Sequence, residues 1–255
     1  MIPFLIFLFG MLLGSFFNVC TYRIPRGESI SFPPSHCPSC EHRLVASDLV
    51  PLFSYIFLRG KCKYCQAKIS ITYPLIEFIT PVLYLLLYYT YGISWDLLVY
   101  ALVISILIII TFIDIEHFII PNALVLAGLI IGILSLIIGV SPIEWVDALL
   151  GLILGGGAIL ITAILAKLIL KKDGMGGGDI KLMAMIGLFM GWRQTGIILL
   201  LSVYISFIFI IVMLIFKTKK TGEYLPFGPF IALATVISIL YGDQILNLIS
   251  AYIFG

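Results

Sequence analysis

Charged residues are scarce in this sequence. They make up 11% of the chain, and the net charge at pH 7 is only +2, which excludes an extended basic surface for nucleic acid. Long polar stretches that could form a large soluble domain are also missing. Hydrophobic residues make up 62% of the chain and its mean hydropathy is +1.19, whereas soluble domains are roughly 45 to 50% apolar. The composition therefore predicts an integral membrane protein.

Several familiar motifs are absent as well. No Rossmann-type G-x-G-x-x-G occurs, and no Ser/His/Asp or Cys/His arrangement with a distinctive context is found. A secretory signal carries positive residues before its apolar stretch, whereas here Arg23 and Arg26 follow that stretch. We therefore expect the N-terminal apolar run to be retained as a first span with its N-terminus outside.

Apolar runs of membrane length predict an all-α integral membrane protein with about eight transmembrane helices. A spanning helix needs about 20 mainly apolar residues. The sixth and seventh runs could also form one element kinked between Gly191 and Gly196. The predicted spans are 4–20, 74–91, 96–113, 119–139, 146–170, 180–191, 196–216 and 228–254.

The basic residues predict how these spans are oriented. Of the 15 Lys and Arg residues, 14 fall in the segments 21–72, 167–181 and 217–220, and only Arg193 lies elsewhere. Under the positive-inside rule the three segments face the cytoplasm. An even number of spans then leaves both termini outside.

The first cytoplasmic segment contains two C-x-x-C motifs separated by 21 residues. Four thiolates suit tetrahedral zinc, and the usual separation of such pairs is about 15 to 20 residues. A segment of this size buries little apolar core, so a metal would also explain how it folds. We predict a structural zinc bound by Cys37, Cys40, Cys62 and Cys65.

Other interpretations of these cysteines remain open. They could form a redox pair or be merely buried, and His36 or His42 could replace one thiolate as a ligand. Cys20, the fifth cysteine, is most simply a packed thiol. We expect three parts in the chain: a first transmembrane helix at 1–20, a tetracysteine subdomain at 21–72, and a membrane core at 73–255.

Few acidic residues lie within or beside the predicted spans. A charged group at the centre of a spanning helix costs on the order of 2.5 to 3.5 kcal/mol, so each is a candidate for function. Glu77, Asp114 and Asp179 all fall near the predicted cytoplasmic surface. Asp114 could instead be an interfacial acid turned to water. Asp179 follows the glycines at 176–178 and could be a helix N-cap or an ion-pair partner of Lys172 or Lys181.

A pair of aspartates offers a defined chemistry. Two carboxylates in contact cannot both ionise cheaply, so they share a proton. One can then activate water as a general base while the other donates a proton to a carbonyl oxygen. We predict that Asp114 and Asp179 form such a pair, and that His117 is interfacial rather than catalytic.

Together these features resemble the bacterial type IV prepilin peptidases, a family of intramembrane G-x-G-D aspartic proteases. The resemblance extends over nearly the whole chain. Presenilin-type proteases share the G-x-G-D element but lack the tetracysteine loop. The matching motifs are Gly14–Cys20 with Arg23–Pro25, the two cysteine pairs, Tyr73–Glu77, Asp114 with Pro121–Asn122, Gly176–Lys181 and Pro226–Pro229.

The resemblance implies a specific reaction. Members of this family remove a short basic leader from prepilins or pseudopilins, after a glycine, at the cytoplasmic face of the bacterial inner or plasma membrane. Asp114 and Asp179 match the family's catalytic pair. The family commonly also N-methylates the new N-terminal residue with S-adenosylmethionine, in association with the cytoplasmic loop, but no residue here is assigned to that cofactor. The expected partners are the pilin-like substrate and the lipid bilayer, with no nucleic acid.

Two other functions would fit a membrane protein with this composition. The acids at 77, 114 and 179 could form the ion path of a transporter, although such a path needs carboxylates at several depths. The tetracysteine loop could instead recruit a partner to a non-catalytic assembly scaffold. A scaffold gives no reason for the glycines before Asp179.

Overall fold

The structure is helical throughout most of the residues that it describes. It is a computed structural model, and it describes residues 1–170, 176–216 and 225–254. Extended pairing in these ranges consists of two isolated β-bridges in the tetracysteine loop. Five of the basic residues used to predict the orientation lie outside the described ranges: Lys171, Lys172, Lys217, Lys219 and Lys220.

Six helices in the described ranges are long and apolar enough to cross a membrane. A further apolar helix, α5, has 17 residues and falls short of the roughly 20 that a span needs. The predicted all-α membrane fold is therefore confirmed. The helices are α1 (Ile2–Arg23), α2 (Phe53–Phe57), α3 (Thr72–Tyr91), α4 (Trp95–His117), α5 (Asn122–Ile138), α6 (Trp145–Leu170), α7 (Gly177–Ile215) and α8 (Gly228–Phe254).

The longest helix, α7, combines two segments that the apolar runs divide into separate spans. The predicted spans 180–191 and 196–216 are both part of this 39-residue helix, which bends at Gly191, where φ is 68° and ψ is 170°. Such dihedral angles are almost restricted to glycine. The polar residues after the bend remain helical because they have partners. Thr195 Oγ1 donates to the Gly191 carbonyl oxygen at 2.6 Å, and Gln194 forms hydrogen bonds with two residues of α8.

The chain divides into two compact units, Met1–Ile93 and Ser94–Gly255. In the first unit, α1 packs against α3, and the tetracysteine loop connects them. In the second unit, α7 packs against α5, α6 and α8, and α8 also packs against α4. Helix α8 therefore contacts both helices that carry the predicted catalytic aspartates.

Helices α6 and α7 approach each other closely through glycines. A Cβ atom on Gly151 would lie 2.1 Å from the carbonyl oxygen of Gly187, and a Cβ on Gly187 would lie 2.0 Å from the carbonyl oxygen of Gly151. Real Cβ atoms do not come this close to backbone, so neither position can accept a side chain without separating the helices. Small residues at helix contacts in membranes allow this kind of backbone approach.

We expect Gly151→Ala to destabilise the second unit, because the added methyl group must push α6 away from α7. Overpacking of this kind costs about 1 to 3 kcal/mol. Gly157→Ala is a matched control in the same helix, since a Cβ there meets nothing within 4 Å. Thermal unfolding of the purified protein in detergent measures both. Equal melting temperatures for the two variants would contradict the close α6–α7 contact.

Candidate active site and metal centre

Asp114 lies in the last turn of α4, the most deeply buried of the candidate spans. Ile110 and Ile113 before it are fully enclosed, and Asp114 itself is 5% exposed. The backbone N–H of Gly228 donates to Asp114 Oδ2 at 3.0 Å. Gly228 is the first residue of α8, so the carboxylate also lies at the positive end of that helix dipole. The alternative of an interfacial acid turned to water is therefore wrong for Asp114.

Gly228 is a site residue to which the sequence analysis gave no role. A Cβ atom at this position would lie 2.7 Å from Asp114 Oδ2. Because that is closer than non-bonded atoms approach, a side chain here would displace the carboxylate or break its hydrogen bond. A signal was present in the sequence: a glycine before Pro229 and at the start of an apolar run indicates a helix beginning with close backbone contact.

Asp179 lies in the first turn of α7 and is 9% exposed. The N-cap of this helix is Gly176, and no side chain caps it. Asp179 is the third helical residue, and its backbone N–H donates to the Gly176 carbonyl oxygen at 3.1 Å. The alternative that Asp179 itself is the N-cap is therefore wrong. From this position its carboxylate instead accepts a hydrogen bond from the backbone N–H of Gly176.

The carboxylates of Asp114 and Asp179 lie within electrostatic range of each other in the second unit. Neither carboxylate forms an ion pair with a described residue. Two buried acids without a neighbouring cation are unfavourable unless they share a proton. Such an arrangement suits general acid–base chemistry.

Lys181 does not neutralise Asp179. Its Nζ donates instead to Asn122 Oδ1 at 3.0 Å and so connects the first turns of α5 and α7. Both residues line a cavity of about 390 Å³ whose other lining side chains are apolar, among them Leu126 and Leu129 of α5. The alternative of an ion pair between Lys181 and Asp179 is therefore not supported, and the lysine lines this cavity. The other suggested partner, Lys172, lies outside the described residues.

His117 lies one turn after Asp114 and is half-buried. Its Nε2 atom is enclosed and has no hydrogen-bond partner among the described residues. That His117 plays no catalytic part stays a prediction.

Glu77, the third predicted intramembrane acid, has a structural role in the first unit. Its Oε2 accepts a hydrogen bond from the backbone N–H of Leu52 at 2.7 Å, and its Oε1 accepts one from Asn18 Nδ2 at 3.4 Å. The carboxylate thus ties the tetracysteine loop to α3 and α1. These donors account for an acid at this depth without an ion path.

The four cysteines of the loop converge on one point. The Sγ atoms of Cys37, Cys40, Cys62 and Cys65 all lie within 4.8 Å of one another. Cys37 Sγ and Cys65 Sγ, which come from different C-x-x-C motifs, are 3.9 Å apart. Tetrahedral zinc with bonds of about 2.3 Å separates its sulfur ligands by about 3.8 Å. The cluster therefore fits a zinc ion with four thiolate ligands.

The two C-x-x-C motifs have the same backbone geometry. The N–H of Cys37 donates to the His42 carbonyl oxygen at 3.0 Å, and the N–H of Cys62 donates to the Ala67 carbonyl oxygen at 2.8 Å. The residue after each second cysteine has a positive φ, 57° at Glu41 and 61° at Gln66. One β-bridge closes each turn. Two matching turns that face each other present their four sulfur atoms to a common centre.

The nearby histidines, His36 and His42, contact other groups instead of the cysteine cluster. His36 Nδ1 is 3.1 Å from the Pro34 carbonyl oxygen. His42 stacks on Tyr64 with ring centroids 3.6 Å apart. The structure does not bring either ring into the sulfur cluster, so the alternative of a histidine ligand is not supported.

Asp48 connects the segment between the two cysteine motifs to the second motif. Tyr64 Oη donates to Asp48 Oδ2 at 2.9 Å, and Lys63 Nζ lies 3.6 Å from Asp48 Oδ1. Burial of the Asp48 carboxylate opposes its ionisation, but hydrogen bonds from Tyr64 and the Val45 backbone, together with the charge of Lys63, hold its pKa below the usual range. Asp48 is therefore an anion that links the segment between the motifs to the second motif.

Comparisons with known proteins identify the family. The bacterial peptidase A24 N-terminal domain matches residues 8–91, and the type IV leader peptidase family matches residues 101–219. A prepilin leader peptidase/N-methyltransferase of Aeromonas salmonicida (strain A449) is 34% identical over 267 aligned residues, covering 94% of this chain and 91% of the relative. The chain belongs to the prepilin leader peptidase family. The predicted resemblance is confirmed.

Other members of this family are equally similar. The Bacillus subtilis (strain 168) prepilin leader peptidase/N-methyltransferase is 35% identical over 244 residues, covering 95% of this chain and 96% of the relative. That of Pseudomonas aeruginosa is 33% identical over 261 residues, covering 93% and 90%. No solved structure matches the chain significantly. As a member of the family, the protein is a multi-pass membrane peptidase, which argues against the alternatives of a transporter and a scaffold.

In this prepilin peptidase family member we expect one zinc ion per chain, bound by the tetracysteine cluster. Cys62→Ser and Cys65→Ser each remove a thiolate and should lower the zinc content severely. Cys20→Ser is the matched control, because Cys20 is buried in α1 and lies outside the cluster. Metal analysis of purified, chelator-washed protein makes the measurement. Full zinc occupancy in the double variant Cys62→Ser/Cys65→Ser would rule out the four-thiolate site.

Proposed function

We propose that this protein removes the basic leader from type IV prepilins or pseudopilins by cleaving after a glycine, with Asp114 and Asp179 as its catalytic pair. The observation that carries the proposal is that two buried carboxylates lie within electrostatic range of each other and no described cation neutralises either one. The relatives named above are prepilin leader peptidases and cover nearly the whole chain. They supply the class of substrate.

The chemistry assigned to the pair is a water-mediated hydrolysis. One aspartate, ionised, takes a proton from a water molecule whose oxygen attacks the carbonyl carbon of the scissile bond. The other, protonated, donates to the carbonyl oxygen. When the tetrahedral intermediate collapses, the C–N bond breaks and the nitrogen leaves with a proton as the new amino terminus. No covalent bond to the protein forms at any step.

Gly228 supports this reaction by orienting Asp114. Its N–H binds Oδ2 at 3.0 Å, which leaves Oδ1 free of that contact and able to face water or substrate. The hydrogen bond is made by backbone at the beginning of a helix, so the carboxylate is held by the packing of α8 against α4. Preorganised groups of this kind spend little energy on rearrangement during the reaction.

We assign the reaction to the cytoplasmic membrane face. The support is the distribution of basic residues, because 14 of the 15 lie in three segments, of which one contains Asp179 and another contains the cysteine cluster. Asp114 is assigned to the same face because it lies within electrostatic range of Asp179. A prepilin has a basic leader followed by an apolar helix. If the apolar helix lies among membrane spans, its leader and scissile bond lie at that same face.

We also propose that the protein methylates the new N-terminal amine with S-adenosylmethionine, because the relatives are named as N-methyltransferases. In this step a methyl group moves from the sulfonium sulfur to the amine nitrogen, and the amine loses a proton. The cytoplasmic loop at 21–72, with its predicted structural zinc, is the part assigned to this second activity.

Asp114→Asn and Asp179→Asn should each abolish leader removal, because an amide of the same shape can neither take nor supply the proton. The loss should be at least about 10²- to 10⁴-fold, the usual contribution of one general acid or base. Asp96→Asn is the control, since this half-buried acid is in the first turn of the same helix as Asp114 and far along that helix from it. Mass spectrometry of a purified prepilin after incubation with each variant gives the rates. Leader removal by both Asn variants at the wild-type rate would disprove the dyad.

Methylation can be tested apart from cleavage. A pilin-like peptide that already has its mature free amino terminus should gain the mass of one methyl group when incubated with the protein and S-adenosylmethionine. The variants Asp114→Asn and Asp179→Asn should still methylate this peptide, because no peptide bond has to be cut. If the wild type removes leaders but adds no methyl group to the mature peptide, the methyltransferase assignment is wrong and the peptidase assignment stands.

A further inference from the structure

The tetracysteine loop exposes a compact apolar surface on its short helix, α2. Phe53, Ile56 and Phe57 are 52%, 67% and 81% exposed. Residues three and four positions apart share one side of a helix, so these three side chains face the same way. Tyr55 faces differently, since its hydroxyl lies over Gly60. We call Phe53, Ile56 and Phe57 the α2 patch.

The depth of this patch follows from the hydrogen bond between Leu52 and Glu77. Leu52 is the residue directly before α2, and its backbone N–H donates to Glu77 Oε2 at 2.7 Å. Glu77 is the sixth residue of α3, a candidate membrane span that begins at Thr72. At 1.5 Å per residue it lies about 7.5 Å along the helix from its first residue. The start of α2 therefore lies beside α3 at a point about 7.5 Å along that candidate span from its first residue.

The position of Glu77 beside helix α1 gives a consistent depth. Asn18 Nδ2 donates to the Tyr73 carbonyl oxygen at 3.1 Å and also contacts Glu77. Asn18 is five residues before the end of α1 at Arg23, which again corresponds to about 7.5 Å. Interfacial helices bury their apolar sides about 5 to 10 Å into the boundary between headgroups and acyl chains. Leu52, directly before the α2 patch, is held at that level by its bond to Glu77.

Positive charges follow the patch directly. Arg59 and Lys61 are both exposed and come within four residues of Phe57. The loop between the two spans, 24–71, contains six basic residues and three acidic ones, and one of the acids, Asp48, is paired with Lys63. Basic residues beside an apolar helix side are attracted to anionic lipid headgroups, whose phosphates lie just outside the acyl chains.

We propose that the α2 patch inserts into the lipid surface and anchors the tetracysteine loop there, with Arg59 and Lys61 on the phosphates of anionic lipids. The bond to Glu77 sets the depth, the patch supplies the apolar contact, and the two cations supply the electrostatic one. This anchor would hold the cysteine cluster beside the membrane independently of any substrate. It does not rest on the assignment of the catalytic aspartates.

Depth-dependent fluorescence quenching tests the anchor in the full chain. The three native tryptophans, Trp95, Trp145 and Trp192, are first changed to Phe, and Phe57→Trp is then added. In vesicles of brominated phosphatidylcholine, the indole emission should be largely lost when the bromines are near the headgroup end of the chains, and less so when they are near the chain ends. Ala46→Trp in the same background is the control, because Ala46 is exposed in the segment that Asp48 ties to the second cysteine motif.

Further variants test the two parts of the mechanism. Glu77→Leu removes the acceptor of the Leu52 N–H and should reduce the quenching of the Phe57→Trp indole, whereas Glu77→Gln keeps an acceptor oxygen and should preserve it. Adding phosphatidylglycerol should increase the quenching, and Arg59→Gln/Lys61→Gln should abolish that increase. Equal quenching at positions 46 and 57, or none at 57, would overturn the proposal.

The principal rival occupant is the apolar helix of a substrate. Saturating amounts of a pilin-like peptide should leave the quenching by brominated lipid unchanged if the patch binds lipid. If the peptide displaces the lipid and restores the emission, the patch is a substrate surface and the lipid anchor is wrong. Because the readout is emission, the result does not depend on whether either aspartate variant cuts.

Discussion

A carboxylate within a bundle of membrane helices has to be held by the protein, because lipid offers it no hydrogen-bond donor. In the second unit this requirement is met for Asp114 by the backbone of Gly228 at 3.0 Å. The bond fixes where α8 begins relative to the end of α4. Since α8 also packs against α7, the position of Asp179 depends on the same contact.

Other polar groups in these helices meet the requirement locally. Thr80, Thr235 and Thr195 each return a hydroxyl hydrogen bond to the carbonyl four residues earlier. Gln194 reaches across to Asp243 at 3.2 Å, which joins α7 to α8. Asp179 differs from all of these, since a carboxylate cannot donate a hydrogen bond unless it is protonated and it faces another acid. One backbone hydrogen bond from Gly176 stabilises the Asp179 carboxylate, but no described cation offsets the charge of Asp114, which supports a functional reason for placing two acids there.

Much of the site could be predicted from the sequence because its signals are local. The cysteine cluster follows from two short C-x-x-C motifs separated by 21 residues, just beyond the usual range for zinc sites, and its convergence fits two motifs that form the same turn. The aspartates stand out because acids are rare in apolar runs. Gly228 was missed because its partner is 114 residues away along the chain. The sequence left the continuity of α7 open because Arg193 and Gln194 are polar residues between two apolar runs. The structure shows that Gln194 forms hydrogen bonds to α8, which allow it to remain helical.

The tetracysteine loop illustrates a different limit of sequence reasoning. The contacts that fix its ends are not predicted by any sequence motif. Arg23 is 5% exposed and donates to the carbonyl oxygens of Ser29 at 3.0 Å and Pro33 at 2.6 Å, so a buried cation holds the start of the loop.

Further along the loop, Glu77 holds the backbone at Leu52, where φ is 63°. A positive φ is unfavourable for leucine, so the segment adopts it only because surrounding contacts fix it there. These two anchors and the cysteine cluster together substitute for the apolar core that a loop of this length lacks. The apolar side chains of Phe53, Ile56 and Phe57 are exposed and do not contribute to such a core, whereas in a soluble domain side chains of this kind are mostly buried.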